Sequence, residues 1–133
     1  MSAVKGLERW HTVIGNGSRP AELAAIIRED AVFHSPVVHT PQQGRDLVVA
    51  YLSAAGQTLG NNSFTYVREL VDGESALLEF TTVIDGIHIN GIDLIRFDED
   101  GMISDFKVMV RPLKAVNKVW EQMAAMLKTM KTS

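Results

Sequence analysis

The residue best suited to chemistry in this chain is an aspartate set among glycine and large aliphatics. In the segment His88-Ile89-Asn90-Gly91-Ile92-Asp93-Leu94-Ile95-Arg96-Phe97, strand alternation places Ile89, Gly91, Asp93, Ile95 and Phe97 on one face. His88, Asn90, Ile92, Leu94 and Arg96 take the other. A carboxyl on so apolar a face must be paired, hydrogen-bonded or neutral. Two readings stay open. Asp93 is half exposed near a sheet edge or caps a loop, or it faces a cavity where desolvation raises its pKa and leaves a neutral donor or general acid.

Four histidines, His11, His34, His39 and His88, are the other acid/base candidates. His39 falls in the loop between the expected first strand and third helix, at the rim of such a pocket, where it could act as a base; the alternative is a surface-loop histidine. His34 and His88 should point away from the pocket, and His11 neighbours Trp10 on the first helix. No His-Glu-x-x-His spacing or close His/carboxylate cluster is present, and cysteine is absent. Neither a metal site nor thiolate chemistry is therefore expected. Gly15-Asn16-Gly17-Ser18 lacks the preceding strand and later glycine of a dinucleotide fingerprint and reads as a turn. No cofactor is expected.

The elements that must position Asp93 follow from periodicity. Val4, Leu7, Trp10, His11 and Ile14 keep helical spacing until Gly15-Asn16-Gly17. Ser18 is suited to cap a short second helix, with Pro20 and Glu22 in its first turn and Leu23, Ile26 and Ile27 as its buried stripe. Ala31 to Ser35 predicts a first strand ended by Pro36. After a loop bounded by Pro41 and Gly44, the residues Leu47, Val48, Tyr51, Leu52 and Ala55 predict a third helix broken by Gly56. The period then changes to that of strands at Phe64–Leu70, Ser75–Ile84, Ile87–Phe97 and Met102–Val110, with Asp72-Gly73 and Asp85-Gly86 as hairpin turns. Pro112 opens a last helix whose apolar stripe is Leu113, Val116, Trp120, Met123, Leu127 and Met130.

Helices followed by hairpin-linked strands predict an α+β fold with an antiparallel meander. The 133 residues suit one domain. Phe80, Phe106, Val108 and Val110 should supply apolar pocket wall, while Tyr51 either turns its hydroxyl inward or packs as a core aromatic. Both sheet faces are half apolar, so the outer one should meet a second protein surface, as in a homodimer. A net charge of −3 without a dense Lys/Arg stripe argues against nucleic acid. The longest apolar runs fall far short of the roughly 20 residues that span a bilayer, and no basic-then-apolar leader is seen, so no membrane partner and a cytoplasmic location are expected.

Three stretches carry a family resemblance: Ala31-Val32-Phe33-His34-Ser35-Pro36, then Gly44 opening an apolar helix, then Gly91 through Ile103. Together they resemble the SnoaL-like branch of the nuclear transport factor 2-like (NTF2-like) superfamily. The resemblance implies a cone-shaped α+β fold, usually dimeric, in which a curved antiparallel sheet packs on N-terminal helices around a deep pocket, here with an added C-terminal helix. Ketosteroid isomerases in this superfamily carry an acid in an Ile-Asp-x-x-Arg-Phe-like stretch. By that similarity Asp93 is a neutral carboxylic acid donating to a developing oxyanion.

The same comparison puts Ser35, before Pro36, where the isomerase has its aspartate base, and Trp10 where it has a helical tyrosine. A lone serine hydroxyl is no base near neutral pH, and indole has no hydroxyl proton to share. Steroid isomerisation by that trio of groups is therefore not expected. Polyketide cyclases of the SnoaL type use a pocket acid for intramolecular aldol closure, which one acid can serve. The Asp-Arg-Asp set of limonene epoxide hydrolase-like members cannot be assembled, because Arg96 lies on the opposite face from Asp93. The expected function is isomerase- or cyclase-type proton transfer on a small hydrophobic carbonyl compound, with Asp93 as acid and His39 as base; the alternative is a non-catalytic binding protein or a dimeric scaffold with a vestigial pocket.

Overall fold

The computed structural model describes residues 2–132. In chain order the elements are α1 (Ser2–Gly15), α2 (Pro20–Ile26), β1 (Ile27–His34), β2 (Gln42–Gln43), α3 (Arg45–Leu59), β3 (Thr65–Asp72), β4 (Ser75–Ile84), β5 (Ile87–Phe97), β6 (Ile103–Arg111) and α4 (Leu113–Thr132). The strands form one curved, unclosed sheet in the order β2-β1-β6-β5-β4-β3. Among the described residues no helix is long and apolar enough to cross a membrane.

The sheet is mixed where a purely antiparallel one is predicted. Strands β3 to β6 form the expected meander, but β1 runs parallel to β6, with Phe33 beside Phe106. The physical reason is the long crossover: α3 and four strands separate β1 from β6 in the chain, and neighbours joined by so long a connection are free to run parallel. The hairpin between β4 and β5 turns at Asp85 and Gly86, both with positive φ (50° and 78°), as a two-residue turn matched to strand twist requires. The core lies between the inner sheet face and the helices, built on Phe33, Phe80, Phe97, Phe106, Leu78 and Ile95, each at most 1% exposed.

Local sequence signals shift in several places. Ser18 does not cap α2; Arg19 holds the N-cap position and makes no side-chain capping bond. Instead the Ser18 amide donates to Val13 O and the Gly17 amide to Ile14 O, with Gly17 at φ 96°, a glycine closure of the end of α1 that commits Ser18 to the preceding helix. Helix α2 stops at Ile26, so Ile27 opens β1 rather than joining the helical stripe. Gly56 does not end α3, which continues to Leu59. A Cβ on Gly56 would stand 2.7 Å from Ser18 Oγ, so this glycine allows close approach of α3 to the α1–α2 turn.

On α4 the buried stripe is Ala115, Val119 and Met123, while Leu113 and Trp120 are 74% and 58% exposed. The helix is turned by about one residue from the expected stripe. Two apolar seams adjoin on its surface, and the one with small Ala115 packs inward, where Met123 Sδ accepts a bond from Thr58 Oγ1 of α3 at 3.5 Å. The side chains of Leu127 and Met130 lie outside the described residues.

Helix α1 rests on β5 through Gly6, where an added Cβ would fall inside the van der Waals envelope of the buried Phe97 ring. Gly6→Ala is expected to cost about 1–3 kcal/mol by overpacking, read as a lower urea midpoint at unchanged slope. An unaltered midpoint would mean that Phe97 can yield and that this contact does not set the helix position.

Candidate functional site

Alternation along β5 places Asp93 on the inner face, between Leu78 of β4 and Val108 of β6 in the ladder. The carboxylate-bearing residue is 7% exposed. Two residues earlier on the same face, Gly91 pairs with Phe80. A Cβ there would come within 2.7 Å of Met109 O and 2.9 Å of Phe80 Cε2. The absent side chain therefore gives the Phe80 ring its place beside Asp93.

The hydroxyl beside Asp93 comes from Tyr66 on β3, a residue that sequence reasoning missed. From the β3–β4 turn, Asp72 pairs with Ser75 and Glu69 with Leu78, but beyond Arg68 the register slips by one and Tyr66 pairs with Phe80. Without that bulge Tyr66 would oppose Thr81, whose side is the outer face. One extra residue at Val67 thus turns Tyr66 inward. The ring packs edge-on to Phe64 at 5.1 Å between centroids, and its hydroxyl donates to Asp93 Oδ2 at 2.7 Å. Trp10 Nε1 of α1 donates in turn to the Tyr66 oxygen at 3.1 Å.

This chain of donors ends at the wall of a cavity of about 420 Å³ between the inner sheet face, α1 and α3. Buried Trp10, Phe80, Asp93, Phe106 and Val108 form its floor; exposed His11, Gly15, Gly17, Gly60 and Asn61 mark its mouth. Among the described residues Asp93 Oδ1 has no hydrogen-bond partner, and no buried side-chain oxygen or nitrogen lacks one, so Oδ1 is the atom offered to the cavity. Burial pushes the Asp93 carboxyl up to about 7, with the Tyr66 bond pulling in the opposite direction. The Tyr66 hydroxyl is pushed well above its usual value, mainly by burial and then by the neighbouring Asp93 charge and bond, while the Trp10 bond opposes the rise. Near neutrality the site therefore holds a phenol that keeps its proton and a carboxyl able to give or accept one.

The structure brings Trp10, Phe80, Asp93, Phe106 and Val108 together at the cavity and leaves Ser35, Tyr51 and His39 out of its wall. Ser35 Oγ is occupied as acceptor for the Val37 and Val38 amides at 3.1 and 3.3 Å, because the strand ends at His34 and the chain turns there. Tyr51 packs on Phe33 at 5.2 Å between centroids, as a core aromatic. His39 is exposed in the loop before β2. Trp10 does not stand alone in place of a tyrosine; it positions one. His34 bonds Asp105 at 2.8 Å, away from the cavity, and His11 at the mouth bonds Glu69. Among the described residues no three His, Asp or Glu side chains are grouped to hold a metal ion.

A carboxyl raised to about 7 has a pH signature in stability. Below about pH 4 it is protonated in folded and unfolded chains alike; between about pH 4 and about pH 7 only the folded chain keeps the proton, so stability falls as pH rises and levels off above that window. The full difference is on the order of 4 kcal/mol. Asp93→Asn removes this contribution, and denaturant melts should show the variant gaining on the parent across the window. A constant offset would show that the carboxyl is not held neutral.

Comparison with known proteins agrees with this architecture. Residues 7–106 match the family model of the SnoaL-like domain. A crystal structure of a steroid delta-isomerase from Pseudomonas aeruginosa is 35% identical, covers 99% of this chain and 96% of its own, and superposes with a TM-score of 0.91. An uncharacterised protein with a cystatin-like fold from Silicibacter pomeroyi DSS-3 is 32% identical over 90% of this chain and 83% of its own, with a TM-score of 0.82. A putative ketosteroid isomerase from Kribbella flavida DSM 17836, 18% identical over 84% of this chain and 78% of its own at a TM-score of 0.65, shares the fold. A search of curated protein sequences finds no match. With the matched segment spanning most of the chain and a 35% identical structure superposing over nearly all of it, this protein belongs to the SnoaL-like domain family.

Proposed function

We propose that this chain binds a small, largely hydrophobic carbonyl compound in the cavity and promotes isomerase- or cyclase-type proton transfer on it. The observation that carries this reading is the buried Asp93 carboxyl, bonded through Oδ2 to Tyr66 and offering Oδ1 to an apolar cavity. A carbonyl oxygen seated against Oδ1 receives a hydrogen bond from the neutral acid. As negative charge grows on that oxygen during enolisation the bond strengthens, which lowers the barrier rather than merely improving binding. Tyr66 and Trp10 hold the carboxyl in place, so little reorganisation is needed. The size of the cavity is within the range of small-molecule sites, and the 35% identical relative is itself described as a steroid delta-isomerase.

A second reading, binding without turnover, is favoured by one observation: Asp93 is the only carboxyl on the cavity wall among the described residues. Phenols separate the two parts of the reading, since a bound phenolate resembles an enolate. Titration with β-naphthol, followed by its fluorescence, should show binding that Asp93→Leu or Tyr66→Phe weakens by about tenfold or more. Absence of binding, or equal affinity in both variants, would count against an oxyanion site at Asp93.

The outer sheet face supports the homodimer reading. Leu70 opposes Leu77 and Ile92 opposes Met109 there, with Val67, Leu70 and Met109 each more than half exposed. Association through this face would cover them. Sedimentation should give a dimer at micromolar concentration that Met109→Asp converts to monomer; a monomeric parent protein would rule the dimer out.

A further inference from the structure

The proposed reading supplies an acid for the carbonyl oxygen but leaves open which group accepts the carbon-bound proton. Polar side chains on the cavity wall include Ser18, Asn61, Tyr66, Trp10, Asp93 and His11. Hydroxyl, amide and indole groups do not accept a proton near neutral pH, and Asp93 is committed to the oxygen. Imidazole is suited to that task. His11 follows Trp10 on α1, so one helix turn serves both ends of the site: Trp10 reaches inward to the Tyr66 hydroxyl, and His11 stands at the mouth with its ring edge-on to Tyr66, 5.7 Å between centroids at 82°. Its Nε2 bonds Glu69, which the register slip at Val67 leaves on the same inner face as Tyr66. Glu69 and His11 are 39% and 41% exposed, and His11 lines the cavity mouth.

We infer that His11, oriented by Glu69, is the proton acceptor of this site. The inference rests on the proposed reading of Asp93 as the oxyanion partner. The Nε2–H donates to the Glu69 carboxylate, which fixes the tautomer and leaves the lone pair on Nδ1. Nδ1 takes a proton from the carbon next to the substrate carbonyl. The electron pair of that C–H bond forms the new C=C bond, and the carbonyl π pair moves to oxygen, where Asp93 donates. The imidazolium formed is stabilised by the Glu69 carboxylate and returns its proton to the same carbon or to another carbon of the conjugated system. Nothing is oxidised or reduced, and no further reactant is consumed. His11 is the catalytic base and Glu69 a positioning residue.

The test uses a β,γ-unsaturated cyclohexenone in deuterium oxide, with conversion to the conjugated ketone and deuterium incorporation followed by NMR, alongside β-naphthol binding. His11→Gln should slow both reactions by about 100-fold or more while β-naphthol affinity stays within about threefold. Glu69→Gln should lower kcat by about tenfold with KM unchanged, a split that loss of packing would not produce. Because His11 is exposed, its variant should melt with the parent. No exchange above the buffer rate in the parent protein, or undiminished exchange in His11→Gln, overturns the assignment. If β-naphthol still binds in an Asp93-dependent way, that failure belongs to His11 alone; if it does not bind, the reading of Asp93 fails as well.

Discussion

A carboxyl group taken out of water into a wall of aromatic rings has to be neutralised or partnered, and here both conditions act on one residue. Asp93 accepts a single strong bond from Tyr66 and is otherwise surrounded by apolar side chains. One bond offsets only part of the desolvation cost, so the carboxyl retains its proton to about neutrality. Much of the surrounding structure can be understood as keeping that arrangement dry and rigid. Gly91 makes space for Phe80, Trp10 fixes the phenol oxygen, and the stack of Phe64 on Phe80 at 5.2 Å closes the flank. A buried polar network of this kind is satisfied at every buried side-chain atom among the described residues, which is what makes it compatible with a stable core.

The helices contribute less to the chemistry of the floor than to the shape of the mouth. The glycine closure of α1 at Gly17 brings Ser18 against Gly56, and α3 then continues until Gly60. Small residues on both sides of that contact keep the opening between α1 and α3 from being filled by side chains. The arrangement also explains why consecutive residues on α1 face different environments: Trp10 is buried at 5% exposure, while His11, about 100° further around the helix, meets the rim and Glu69.

Family resemblance by itself does not say which element supplies the hydroxyl beside the buried acid. The resemblance leads one to expect Trp10 and Ser35 where the ketosteroid isomerase pattern has a helical tyrosine and a loop aspartate. The structure keeps a phenol next to the acid, supplied from β3 rather than α1. It also turns the Ser35 hydroxyl into a local hydrogen-bonded turn, away from the cavity.

The sequence by itself determined most of the architecture and the central acid. Period-two alternation from Ile87 to Phe97 put Asp93 on the inner face, Asp-Gly turns set the β4–β5 hairpin, and Phe80, Phe106 and Val108 followed as wall. These are local consequences of strand geometry and turn chemistry, and local rules suffice for them. Tertiary structure decided the parallel pairing of β1 with β6, the face that α4 buries, and above all the identity of the group beside Asp93. Tyr66 is inward only because β3 takes one extra residue at Val67, and no turn or propensity in the sequence marks that bulge. The absence of Tyr51, Ser35 and His39 from the cavity has the same origin. Where a loop or helix face points depends on what it packs against, and that is settled between elements distant in the chain, by the fit of whole surfaces.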